Sequence, residues 1–124
     1  MAREILFRGH NGKNFVYGDL VHDKKGVLIT NTELDFVVIV NPDSVCQFTG
    51  LTDKNGVKVF DLDVLKTGNG LIVFVQWCKE DAAWYCTDKS DVFNNNWSLG
   101  HFITDGIEVI GNLFENPELM AGEK

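Results

Sequence analysis

The stretch that decides the fold is Leu71–Cys86, LIVFVQWCKEDAAWYC. Leu71 to Trp77 is apolar on both faces and rich in β-branched residues, the pattern of a buried strand. Lys79-Glu80-Asp81 turns the chain into a second strand, Ala82 to Cys86, so the whole stretch reads as a hairpin. Gly68-Asn69-Gly70 reverses the chain just before it. Upstream, Asp53-Lys54-Asn55-Gly56 is the strongest turn of the sequence, followed by strands at Val57 to Phe60 and Val64-Leu65 on either side of a short acidic bend. Further towards the N-terminus, Ile5-Leu6-Phe7 and Phe15-Val16-Tyr17 flank Asn11-Gly12 as a hairpin, and Asp19-Leu20-Val21 extends the second strand. Lys24-Lys25-Gly26 turns into Val27-Leu28-Ile29, and Phe36 to Val40 is another buried strand. Asn41-Pro42 predicts one helical turn, with Asn41 as cap and Pro42 in the first position.

Downstream, the polar run Asp88 to Asn96 reads as a loop or short helix. Ile107 to Ile110 reads as a strand, and Asn116-Pro117-Glu118 opens a short terminal helix. The expected fold is mainly β, a small barrel or barrel-like sheet with minor helix, because closure removes exposed edges. The chain reads as one domain over 1–124. Within it, residues 1–40 can form an N-terminal β subregion packed on a barrel over 41–124.

Composition narrows the function classes. The chain has 124 residues, 11 basic against 18 acidic, and a net charge of -7. Up to Val40 the charges balance, so the acidic excess lies in the C-terminal two-thirds. Such a balance argues against direct nucleic-acid binding, which draws its affinity from neutralised phosphates. No apolar run approaches the roughly 18 residues of a membrane-spanning helix, so no membrane association is expected. With no secretory signal in MAREILFRGH, the expected location is the cytoplasm, where Cys46, Cys78 and Cys86 remain free thiols. Cys78 and Cys86 could also meet across the hairpin.

No motif announces catalysis, a metal or a cofactor. Gly56 in the sixth position of a calcium loop would put Leu51 and Leu62 at its first and last ligand positions, and neither can bind calcium through its side chain. Gly68-Asn69-Gly70 lacks both the third glycine of a dinucleotide fingerprint, which Val73 replaces, and the Lys-Ser/Thr of a phosphate loop. His10, His22 and His101 are widely separated. Two groups remain as candidate interaction residues. Gln47, Thr49, Asp53 and Asp63 could form a polar cluster that serves a ligand, or satisfy local backbone groups. Trp77, Trp84 and Trp97 could anchor a partner or stack on bases, with Trp77 and Trp84 facing each other on one hairpin, or simply fill the core.

Three blocks carry a resemblance: RGHNGKNFVYGDLV (8–21), QFTGLTDKNGVKVFDLDVLK (47–66) and IEVIGNLFENPELM (107–120). Their order and spacing resemble the YopX-like family, small proteins encoded by bacteriophages and prophages and unrelated to the secreted virulence factors of similar name. The resemblance implies a predominantly β domain with an SH3-like barrel, and it brings no established activity to any residue. Where members usually have Glu-Gly-Asp, this chain has Asp61-Leu62-Asp63. Leucine there predicts a backbone without positive φ.

The expected role is therefore a non-enzymatic phage or prophage accessory protein that binds another protein or itself, as a homo-oligomer. An alternative is an acidic mimic of DNA that occupies a host nucleic-acid-binding protein. A small hydrolase or nuclease would need carboxylates or a His-Cys pair converging in a cleft.

Overall fold

A computed structural model describes residues 4–88, 96–103 and 106–120. The fold is mainly β, with strands in two antiparallel sheets and one short α-helix among the described residues. Among the described residues no closed barrel is seen. The chain divides into two compact units, Met1–Phe48 and Thr49–Lys124.

The first unit is a meander. Strands β1 (Phe7–His10), β2 (Phe15–Asp23), β3 (Gly26–Asn31) and β4 (Phe36–Ile39) follow one another as antiparallel neighbours. Strand β5 (Cys46–Thr52) begins beside β1, with Cys46 opposite Arg8 and Gln47 opposite Phe7, before the chain enters the second unit. Each turn carries the residue its geometry asks for. Asn11 Oδ1 accepts from the main-chain N–H groups of Lys13 and Asn14 at 2.8 and 3.0 Å, and Asp23 Oδ1 accepts from Lys25 N–H at 2.7 Å. Such side chains stand in for backbone partners that a turn leaves unmade. The expected helical turn is a 3-10 turn at Pro42–Ser44, with Asn41 Oδ1 accepting from Asp43 N–H at 2.9 Å. Leu28, Ile29, Val40, Cys46 and Phe48 are buried. Gly9 allows Val40 to close in, since a Cβ at Gly9 would stand 2.6 Å from the valine side chain.

The second unit starts from the hairpin of β5 and β6 (Lys58–Phe60), closed over Asp53–Gly56 with Gly56 at φ +83°. Strands β7 (Asp63–Lys66), β8 (Ile72–Cys78), β9 (Ala83–Asp88) and β10 (Asn96–Ser98) form a second meander. The helix α1 (Leu99–Ile103) follows, and β11 (Glu108–Asn112) returns to pair with β7, giving the order β10-β9-β8-β7-β11. Val59 of β6, Leu65, Val73, Val75 and Cys86 of the sheet, and Leu99, Phe102 and Ile107 beyond it make one buried cluster. Alternation explains it: Val73, Val75 and Cys86 lie on one face of the β8–β9 ladder, and Gln76 and Tyr85 on the other. A second 3-10 turn, Pro117–Met120, ends the described chain.

One expectation is overturned. Leu62 has φ +70°, so the bend between β6 and β7 does require the left-handed region that glycine occupies freely. Two main-chain bonds hold it there: Leu62 N–H donates to Val75 C=O at 3.0 Å, and Leu62 C=O accepts from Leu113 N–H at 2.8 Å. Asp63 Oδ2 accepts from Phe60 N–H at 2.7 Å across the same bend. Surroundings that fix a bend on three sides can impose a φ that a leucine alone avoids at about 1–2 kcal/mol.

Of the polar stretch Asp88–Asn96, its ends belong to β9 and β10, and residues 89–95 lie outside the described residues.

Candidate functional site

Three of the four polar candidates, Thr49, Asp53 and Asp63, are engaged with main chain. Thr49 Oγ1 donates to Val59 C=O at 2.7 Å and so ties β5 to β6. Asp53 is 6% exposed, and its Oδ1 accepts from Asn55 and Val57 N–H at 2.8 and 2.9 Å within the turn. Its other oxygen, Oδ2, accepts from Val109 N–H of β11 at 2.9 Å, a residue 56 positions away. Burial by itself raises the carboxyl pKa. The N–H groups of Val109, Val57 and Asn55, together with the Lys54 charge, outweigh that burial and leave Asp53 below the ordinary carboxylate value. Asp63 is 2% exposed and caps the Leu62 bend. Gln47 is half-buried on β5, two residues before Thr49 on the same strand. The acceptors of Asp53 and Asp63 that are described here thus close turns and join strands, which is structural work for two of the acids after Val40.

The tryptophans give a different geometry. Trp77 on β8 and Trp84 on β9 are cross-strand partners, with ring centroids 4.9 Å apart and planes inclined by 66°. They continue the face of Val75 and Cys86 towards the end of the hairpin. Trp84 packs against the buried cluster, while Trp77 stands against Trp84 with 49% of its surface exposed. The edge-to-face arrangement holds the outer ring in place, worth about 0.5–1.5 kcal/mol beyond burial alone. The turn of the hairpin carries Lys79, Glu80 and Asp81, all exposed. The Tyr85 hydroxyl donates to the Asp81 carboxylate, and that bond first, then desolvation and the charge of Asp81, raises the phenol above its ordinary pKa. Cys78, half-buried at the same end, points its thiol towards Glu80 at 3.8 Å. Trp97 pairs through its backbone with Cys86 on the far side of β9, and its side chain lies outside the described residues.

Sequence reasoning saw the Trp77–Trp84 pair because hairpin register is local. It missed the Tyr85–Asp81 bond, whose only signal is that the two residues flank one turn, and the tie from Asp53 to β11, which no local signal reveals. The thiols stay separate, since Cys86 is opposite Val75 and Cys78 opposite Ala83. Burial pushes the Cys86 thiol up to about 12.

Among the described residues no helix is long and apolar enough to cross a membrane, and no group of three or more His, Cys, Asp or Glu is arranged to hold a metal ion. No curated protein matches the sequence. The family model described as YopX protein matches residues 11–121. That span holds the Asp53 turn, the Leu62 bend, the tryptophan hairpin and the β11 return, so the chain, over almost its full length, belongs to the YopX family.

Proposed function

We propose that the protein is a non-enzymatic accessory protein of a phage or prophage that acts in the host cytoplasm by binding another protein, with the end of the β8–β9 hairpin as its anchor. The observation that carries this reading is Trp77, a large half-exposed ring held edge-to-face against Trp84. Tryptophans of this kind dominate binding energy at interfaces, because a pre-ordered ring loses little freedom when it is buried.

The SH3-like barrel implied by the family resemblance is part of this proposal for the second unit. Its support is a five-stranded antiparallel sheet whose buried face is also covered by Val59 of β6, so strands from two directions enclose one core.

Affinity purification of the tagged protein from infected cells, followed by mass spectrometry, tests the reading. A host or phage protein retained by the wild type and lost at least tenfold with Trp77→Ala, while the variant keeps its circular dichroism spectrum, is the expected result. Equal retention by the variant would sink the hairpin as the anchor.

A further inference from the structure

Strand β4, Phe-Val-Val-Ile, is the edge of the first unit's sheet, with β3 its ladder neighbour. Natural edges are usually blunted by a charge, a proline or a bulge. This one carries four apolar residues in regular register with β3, and Val37 and Ile39 are 66% and 55% exposed. The main chain points the same way. Val40 N–H donates to Val27 C=O at 3.0 Å, which makes 27 and 40 a hydrogen-bonded pair. Alternation along an antiparallel ladder then turns the N–H and C=O of Val38 towards β3 and those of Val37 and Ile39 outward.

From this geometry we infer that β4 is a self-association edge, which pairs antiparallel with β4 of a second copy about a two-fold axis beside Val38. The inference rests on the reading of the chain as a binding module but uses another unit and another strand. In that register Val37 exchanges both main-chain hydrogen bonds with Ile39 of the second copy, and the symmetry-related pair does the same. The two exposed side chains of each copy become cross-strand neighbours, a β-branched pair on either side of the axis. They extend a row that already crosses the sheet through Ile39, Leu28 and Val21.

Charge identifies the occupant as a copy of this chain. Glu33 and Asp35 lie in the loop that leads into β4. Lys24 and Lys25 form the β2–β3 turn, level with the other end of β4 because Val27 stands opposite Val40. Antiparallel pairing brings the acidic loop of one copy alongside the lysine turn of the other, about two strand spacings or ~10 Å away, within reach of both side chains. Asp23 at that turn is already bonded to Lys25 N–H. The two-fold axis repeats the match at both ends. A seam of this length buries less than the about 1,200 Å² of a standard interface, so the dimer is weak, with half-dissociation on the order of 100 µM.

Sedimentation equilibrium of the full chain from about 10 µM to 1 mM tests this, together with amide exchange read residue by residue. The expected result is reversible dimerisation in which the Val37 and Ile39 amides slow as concentration rises, while the Val38 amide, already bonded to β3, does not change. Val37→Lys should weaken the dimer at least tenfold. Reversing Glu33 and Asp35 to lysine should weaken it about three- to fivefold, and reversing Lys24 and Lys25 to glutamate in the same chain should restore it. A monomer throughout the range, or a dimer indifferent to Val37→Lys, overturns the edge pairing. Either result leaves the Trp77 anchor standing, since Trp77 is tested by retention of a different protein.

Discussion

Leu62 and Asp53 show how single residues are used in this chain. A leucine held at φ +70° predicts opposite outcomes for two substitutions of the same site. Leu62→Gly removes a strain of about 1–2 kcal/mol at an entropic cost of roughly 0.5–1 kcal/mol, so it should be neutral to mildly stabilising. Leu62→Ile keeps the volume but branches at Cβ, where positive φ is least tolerated, and should lower stability by about 1 kcal/mol or more. Urea unfolding midpoints separate the two, and equal losses for both would place the role of Leu62 in packing rather than backbone. For Asp53 the sign follows from its lowered pKa. In the pH range between its folded value and the ordinary carboxylate value near ~3.9, the unfolded chain binds more protons, so stability rises with pH there. The contribution is complete above that ordinary value and disappears as pH falls through the folded one. Asp53→Asn should cost about 1–3 kcal/mol at neutral pH, because an amide NH₂ would face main-chain donors, and should flatten the acid limb of the stability curve. Urea midpoints from pH 2 to 7 check both.

Among the elements, the β8–β9 hairpin separates structure from recognition in one cross-strand pair. Trp84 packs on the buried cluster and Trp77 stands outside it, so Trp84→Ala should cost about 3 kcal/mol of stability and Trp77→Ala roughly 1 kcal/mol, by thermal or chemical unfolding. Hairpins were the most legible feature of the sequence. Asn11, Lys24-Lys25-Gly26, Asp53–Gly56 and Gly68–Gly70 all mark real reversals, because turn chemistry acts over two to four residues. The helix α1 was not legible as such, since five residues are too few to establish a helical period. The Leu62 bend was misread for a related reason: its φ is set by Val75 and Leu113, partners a local reading does not contain. Of the candidate site, the Trp77–Trp84 pairing followed from alternation alone, whereas the duties of Thr49 and Asp53 appear only when Val59 and Val109, 10 and 56 positions away, are in place.

At the scale of the molecule, the three thiols sample different depths. Cys46 is buried in the first unit, Cys86 is buried in the second with a pKa pushed up to about 12, and Cys78 is half-buried at the hairpin end. Because the thiolate is the reacting species, a disulfide reagent at pH 8 should modify Cys78 in the native protein and reach Cys86 only in denaturant, a difference that intact-mass labelling resolves. Labelling of native Cys86 at the rate of Cys78 would contradict the enclosed core. The return of β11 has a further consequence for synthesis. The first unit's ladder has all its strands once Phe48 has emerged, but β7 finds its outer neighbour, and Asp53 its third donor, only when Val109 to Asn112 are made. At about 5–20 residues per second the ribosome takes several seconds to cover that interval. From its own synthesis until β11 follows, Ile72–Trp77, apolar on both faces, waits in a nascent chain whose sheet still lacks one edge, so chaperone dependence should fall on the second unit during translation and leave the first to fold as it appears.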